Sequence, residues 1–161
     1  MLVIYMILLL SGTSPIFAQD RIGKNCRVFT IYKFRSMHQG VINQGTHLMR
    51  SSDITKFGRV LRKYKLDELP QLINVLAGQM SLVGPRPCLP EQSDVIQARK
   101  VLGVLKFKPG ITGLAQIEKI DMSNPKLLAN RDAKMMASLC LFDYFSYLFQ
   151  TLSGKGNGDI L

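Results

Sequence analysis

A proline inside an apolar-periodic run limits where a chain can turn helical. In residues 65–87, KLDELPQLINVLAGQMSLVGPRP, Pro70 has no N–H to donate and its ring clashes with the carbonyl of Leu66. The spacing therefore predicts a helix that begins or bends near Leu66-Asp67. Asp67 suits the N-cap, which leaves Pro70 in the tolerant first turn. Leu69, Leu72, Ile73 and Leu76 then follow the i, i+3, i+4, i+7 rule, and Gly78 suits the position just past the last turn. The consequence is chemical. Asp67 and Glu68 are set at the positive end of a helix, where a carboxylate stays ionised and phosphates are favoured. An isolated Asp-Glu pair reads first as a cap with a helix-dipole partner.

Beyond this helix, Pro85 and Pro87 hold the chain on both sides of Arg86. That lowers the entropy cost of presenting its guanidinium. The alternative is a structural Arg86 paired with a core carboxylate. Pro109-Gly110 reads as a type II turn. Upstream, residues 16–19 and the aromatic and β-branched run RVFTIYKF (27–34) read as strands, with Gly23-Lys24-Asn25 as the turn of a hairpin. The period of two puts Lys33 and Arg35 on one strand face, able to grip a diphosphate or simply solvated. Residues 39–53 read as a polar, mobile loop. KFGRVLRKYK (56–65) is basic and amphipathic, with Val60, Leu61 and Tyr64 at helical spacing.

Three more helices follow by the same rules. Ser93 or Asp94 caps one that turns Val95, Ala98 and Leu102 inward. Asn124-Pro125 opens the next, with proline at its first position. In the last, Leu141, Phe145, Leu148, Phe149 and Leu152 share one face, which suits the core or, as an interfacial face, a membrane surface. Core packing is the first reading of such an aromatic stripe. Residues 153–161 read as a flexible tail.

The 161 residues make about one domain, and a formal charge of +10 with 47% apolar content points to anionic partners: nucleic acid, a membrane surface or phosphate-rich substrates. The sequence carries no recognition helix, stacking motif or zinc pattern, which argues against nucleic acid. Cys26, Cys88 and Cys140 stand far apart and read as reduced thiols. His38 and His47 have no ligand spacing. The opening run MLVIYMILLL lacks any charge and is about half the length of a membrane span. A signal peptide, a core element and a membrane-inserted stub all remain open for it, the basic residues that follow favouring the last.

IYKFRSM (31–37), LDELPQLINVLAGQMSLVGPRP (66–87) and KPGITGLAQI (108–117) together resemble the bacterial sugar transferases, the monotopic phosphoglycosyl transferases. The likeness implies an enzyme on the cytoplasmic face of the inner membrane. Such enzymes transfer a sugar 1-phosphate from a nucleotide diphosphate sugar, usually a UDP-sugar, to undecaprenyl phosphate. The product primes O-antigen, capsule, exopolysaccharide or glycoprotein glycan assembly. By that likeness Asp67 is the nucleophile of a covalent phosphosugar intermediate and lies at Mg2+, and Glu68 assists. Lys33, Arg35 and Arg86 bind donor phosphates. Relatives have a longer amino terminus, so residues 1–13 are expected to form a shortened membrane-inserted segment. A catalytically inactive, truncated relative serving as a membrane scaffold is the alternative.

The chemistry suits these residues. A diphosphate is an electrophile shielded by negative charge. Hard oxygen ligands favour magnesium over zinc, and cations hold the remaining oxygens. The expected fold is α/β (α+β): a small β-hairpin sheet surrounded by helices over residues 14–152, some of them interfacial. Membrane lipids are expected partners, and the number of copies that assemble is left open.

Overall fold

The strand pattern at 16–34 folds into the expected hairpin. In the computed structural model, which describes residues 1–38, 40 and 51–155, β1 (Ile16–Ile22) pairs antiparallel with β2 (Val28–Phe34), Ile16 opposite Phe34. The first strand thus runs past the predicted 16–19. Its turn is tightened by Asn25 and Cys26, both in the left-handed region at φ 56° and 60°. Most of the loop predicted over 39–53, His47 within it, and the last six positions of the tail lie outside the described residues.

The helices are α1 (Leu2–Leu10), α2 (Lys56–Lys63), α3 (Gln71–Leu76), α4 (Ser93–Val101), α5 (Leu114–Ile117), α6 (Pro125–Ser138) and α7 (Leu141–Leu152). Asn124 caps α6 through its side chain and Pro125 opens it, as the sequence predicts. A second sheet was not foreseen. β3 (Ser81–Val83) and β4 (Gly110–Thr112) pair in parallel, so the fold is mixed α/β with two small sheets among the described residues. Pro109-Gly110 is accordingly no type II turn. Gly110 is extended, and glycine is required there because a Cβ would lie 2.1 Å from the Gly84 nitrogen.

Two apolar clusters hold the helices on this frame. One gathers Leu8, Phe34 and Leu61, with Ile4, Ile16, Phe57, Leu66 and Leu69 against them. The other gathers Ile22, Cys88, Val95, Ala115 and Leu128. Thus α1 joins the core along one edge, through Ile4 and Leu8, while Leu2, Val3, Leu9 and Leu10 are exposed. No helix among the described residues is long and apolar enough to cross a membrane.

Four helical faces differ from expectation. In α3, Gln71 and Asn74 are buried while Leu72, Ile73 and Leu76 are exposed. The reason is the open edge of β2: Asn74 Nδ2 donates to the Thr30 carbonyl at 2.8 Å, and its Oδ1 accepts from the Tyr32 N–H at 3.3 Å. An edge strand needs such partners for its unpaired backbone. In α7, Leu141, Phe142, Phe145, Phe149 and Leu152 are 66–86% exposed, so the stripe does not close the core. Its polar side is turned inward, where Tyr144 shares a hydrogen bond with Ser81 and Thr151 one with Thr112. In α4, Arg99 is buried and Leu102 is 42% exposed. In α2 and just after it, Leu61 is buried but Val60 and Tyr64 face outward.

Candidate functional site

The two acids do not begin an α-helix. Residues 66–68 form a 3-10 turn, entered through Lys65 in the left-handed region (φ 53°), and Pro70 is the N-cap of α3. The cause is the missing proline N–H. The Glu68 and Leu69 amides bond to the carbonyls of Lys65 and Leu66, one residue short of α spacing, before α3 takes over. In a 3-10 turn residues i and i+3 eclipse. Leu66 and Leu69 therefore enter the Phe34–Leu61 cluster together, and Asp67 and Glu68 leave the turn in directions about 120° apart. Two adjacent acids held this way meet different surroundings.

Glu68 faces β2. Its Oε1 accepts from Lys33 Nζ at 2.6 Å, both side chains being largely shielded from solvent. Asp67 is 8% exposed. The hairpin and the acid turn are thus brought together, with Lys33, expected at donor phosphates, paired to Glu68. Arg35 is placed otherwise. Its Nε donates to the Ser14 carbonyl at 2.8 Å and its Nη2 to that of Ile16 at 3.3 Å, and the guanidinium stacks 5.8 Å from the Phe17 ring centre. These contacts tie it to the start of β1.

Arg86 is half-buried between two buried prolines, and the backbone around it is fully anchored. Four successive carbonyls each receive a donor from a different place. Pro85 accepts from the Gly110 amide at 2.9 Å, and Arg86 from Arg99 Nη1 at 2.7 Å. Pro87 accepts from Arg21 Nη1 at 3.4 Å, and Cys88 from the Ile22 amide at 2.9 Å. The GPRP and KPGIT stretches are therefore one structural unit. Gly84 lies so close to Gly110 and Gly113 that a side chain at any of the three would strike backbone.

Sequence reasoning missed Arg99 and Asp132. Arg99 Nε and Nη2 meet Asp132 Oδ2 at 2.9 and 2.7 Å, both residues being 1% exposed. Burial raises the Asp132 carboxyl above its usual range, against the pull of Arg99. A buried structural pairing of arginine with a core carboxylate is thus made by Arg99. The available signal was positional: Arg99 falls four after Val95 and Asp132 four after Leu128, on the inward faces of their helices. Cys88, beside Arg99, has its thiol pKa raised by burial, with Arg99 acting in the opposite sense.

The donor set is oxygen only. Among the described residues no group of three or more His, Cys, Asp and Glu could enclose a metal. An ion such as magnesium takes one or two carboxylates and completes its shell with phosphate oxygens and water, and the Asp67 carboxylate is a ligand of that kind.

Comparison with known proteins adds to this geometry. The family described as bacterial sugar transferase matches residues 1–155. The galactosyl transferase CpsE of Streptococcus agalactiae is 45% identical over 119 residues, covering 66% of this chain and 26% of that protein. The UDP-N-acetylgalactosamine-undecaprenyl-phosphate N-acetylgalactosaminephosphotransferase of Aeromonas hydrophila is 40% identical over 124 residues, 73% of this chain and 29% of that protein. The exopolysaccharide production protein ExoY of Rhizobium meliloti is 32% identical over 170 residues, 94% of this chain and 74% of that protein. The matched part of this chain therefore spans little more than a quarter of the first two relatives.

Proposed function

Because the chain belongs to the bacterial sugar transferase family, we propose that it transfers a sugar 1-phosphate from a UDP-sugar to undecaprenyl phosphate. The observation that carries the reading is the buried Asp67 in a turn pinned by Leu66 and Leu69, next to the Lys33–Glu68 pair. Relatives named for sugar-phosphate transfer to undecaprenyl phosphate support it.

In this reading a carboxylate oxygen of Asp67 attacks the phosphorus that bears the sugar. A P–O bond forms to Asp67, the bridging P–O bond breaks, and UMP leaves with the bond's electron pair. An oxygen of undecaprenyl phosphate then attacks the same phosphorus and expels Asp67. The acid is restored and the lipid diphosphate sugar departs. A covalent intermediate lets a water-soluble donor and a lipid acceptor use one site in turn. Lys33 fixes Glu68, which positions the reactants and handles protons. Arg86 holds donor phosphate oxygens, while Arg35 braces the start of β1. Asp67 would hold a magnesium ion, which when bound neutralises diphosphate charge.

The reading places the protein on the cytoplasmic membrane as a monotopic enzyme with its site facing the cytoplasm. The uncovered apolar sides of α1 and α7 would enter the lipid surface, and basic side chains would meet anionic headgroups. The lipid product would prime a surface glycan such as exopolysaccharide, capsule or O-antigen.

The deciding experiment uses radiolabelled UDP-sugars with undecaprenyl phosphate and the Asp67→Asn protein. That variant keeps its fold by circular dichroism and forms no labelled lipid. Labelled lipid at the wild-type level would remove Asp67 as nucleophile.

A further inference from the structure

We infer that Arg99 is a positioning residue for Arg86: held by Asp132, its guanidinium locks the peptide between Pro85 and Pro87 and so aims the Arg86 side chain at the donor diphosphate. The inference rests on the transfer reading above.

Three observations carry it. First, the pair is costly for what it does to stability. Arg99 and Asp132 are each 1% exposed, and a buried ion pair replaced by apolar residues of similar size usually leaves a fold as stable or more so. The interior position of each, in a face otherwise made of Val95 or of Leu128, Ala129 and Met135, would be filled as well by Met or Leu. Second, the guanidinium has a further contact. Its Nε–Nη2 edge meets Asp132, which frees Nη1 to reach the Arg86 carbonyl at 2.7 Å. A planar fork can hold both at once, whereas an ammonium on a flexible stem cannot. Third, the place it reaches is the free rotation that remains. The prolines fix φ at 85 and 87. The direction of the Arg86 carbonyl sets that residue's ψ, and with it where the peptide on either side lets Cα–Cβ point. The neighbouring carbonyls are held by backbone of β4 and by Arg21, so Arg99 closes the remaining gap.

The test is a cycle between the pair and Arg86. UMP release from a UDP-sugar with undecaprenyl phosphate is measured for wild type, Arg86→Ala, Arg99→Met/Asp132→Leu, and the triple variant. Replacement of the pair should lower kcat/KM about 10- to 100-fold, chiefly through KM for the donor, with the melting transition retained. In the Arg86→Ala background the same replacement should change kcat/KM less than about threefold, because there is no longer a side chain to aim. An undiminished loss in that background would show that the pair merely supports the fold, and would overturn the inference while leaving the transfer reading intact. If the apolar replacement does not fold, Arg99→Lys keeps a cation beside Asp132, loses the Arg86 carbonyl, and enters the same cycle. UDP affinity by calorimetry separates the two claims. A wild type that binds UDP with this coupling but releases no UMP overturns the transfer reading and keeps the positioning role. A wild type that does neither overturns both.

Discussion

Lys33 and Glu68 meet at 2.6 Å with 19% and 13% of their side-chain surfaces exposed, too shielded for an ordinary surface pair and too open for a fully buried one. Loss of either partner should therefore cost about 1–2 kcal/mol, between the surface and buried extremes. Lys33→Ala and Glu68→Gln should each lower sugar-phosphate transfer about 10- to 1000-fold. The double variant should lose far less than the product of the two, as residues that act as a unit do. Steady-state UMP release on the four proteins checks this; multiplicative losses would separate the two roles. The cysteines make a second contrast at this scale. Cys26 and Cys140 are exposed, whereas Cys88 is 0% exposed and burial raises its thiol pKa. Since the thiolate is the reactive form, iodoacetamide near neutral pH should modify Cys26 and Cys140 and spare Cys88 until the protein unfolds, as read by peptide mass spectrometry. Rapid alkylation of Cys88 in the folded protein would contradict the packing. Lys33, Asp67, Glu68 and Arg86 were singled out by the family motifs that hold them, since each alone read as well as a cap, a solvated face or a structural pair. Arg99 and Asp132 were not. A lone charge on a helix is usually a solvated one, and the face it occupies is seen only when its partner helix is in place.

At the scale of elements, sequence periodicity reports which residues share a face and is silent on what that face meets. The hairpin was legible for this reason: its alternation and its turn are local properties. The same is true of the opening of α6. The outward apolar sides of α3 and α7 were not, because an apolar stripe has the same period whether it packs inward or stays uncovered. The parallel β3–β4 pair was also hidden, since its strands are short and lie far apart in sequence. Its signature was read instead as a turn at Pro109-Gly110, although the glycine serves close approach. That correction yields a prediction. A Cβ at residue 110 would fall 2.1 Å from the Gly84 nitrogen and 2.6 Å from its Cα, atoms that cannot turn aside as a side chain can. Gly110→Ala should thus cost about 3 kcal/mol or more, by urea unfolding. It should also depress transfer in whatever protein remains folded, because the Gly110 amide holds the Pro85 carbonyl beside Arg86. A substitution tolerated to within 0.5 kcal/mol, roughly the scatter of neutral surface changes, would show that the two strands do not touch as described.

For the whole molecule, two forces favour an anionic lipid surface, and they respond differently to salt. The formal charge of +10 provides an electrostatic share, screened as the Debye length falls from about 10 Å at 0.1 M to about 3 Å at 1 M. The exposed sides of α1 and α7 provide an apolar share, which salt does not weaken. The charge was evident from composition and the opening run was read as a membrane-inserted segment, whereas the α7 stripe was read first as core packing, since its surroundings depend on which faces the fold leaves uncovered. Wild-type protein should therefore bind vesicles of phosphatidylglycerol and phosphatidylethanolamine and stay largely bound in 1 M NaCl, as followed by flotation. In Phe145→Glu/Phe149→Glu the substituted residues are 66% and 73% exposed, so the fold should keep its melting temperature. The variant should bind more weakly at low salt. At 1 M NaCl the proportion it loses should exceed that of wild type, because less apolar surface is left to resist release. If wild type leaves the vesicles completely in high salt, charge accounts for all the attachment and the uncovered face of α7 has another use. If the variant floats as wild type does at both salt concentrations, that helix does not lie in the lipid at all.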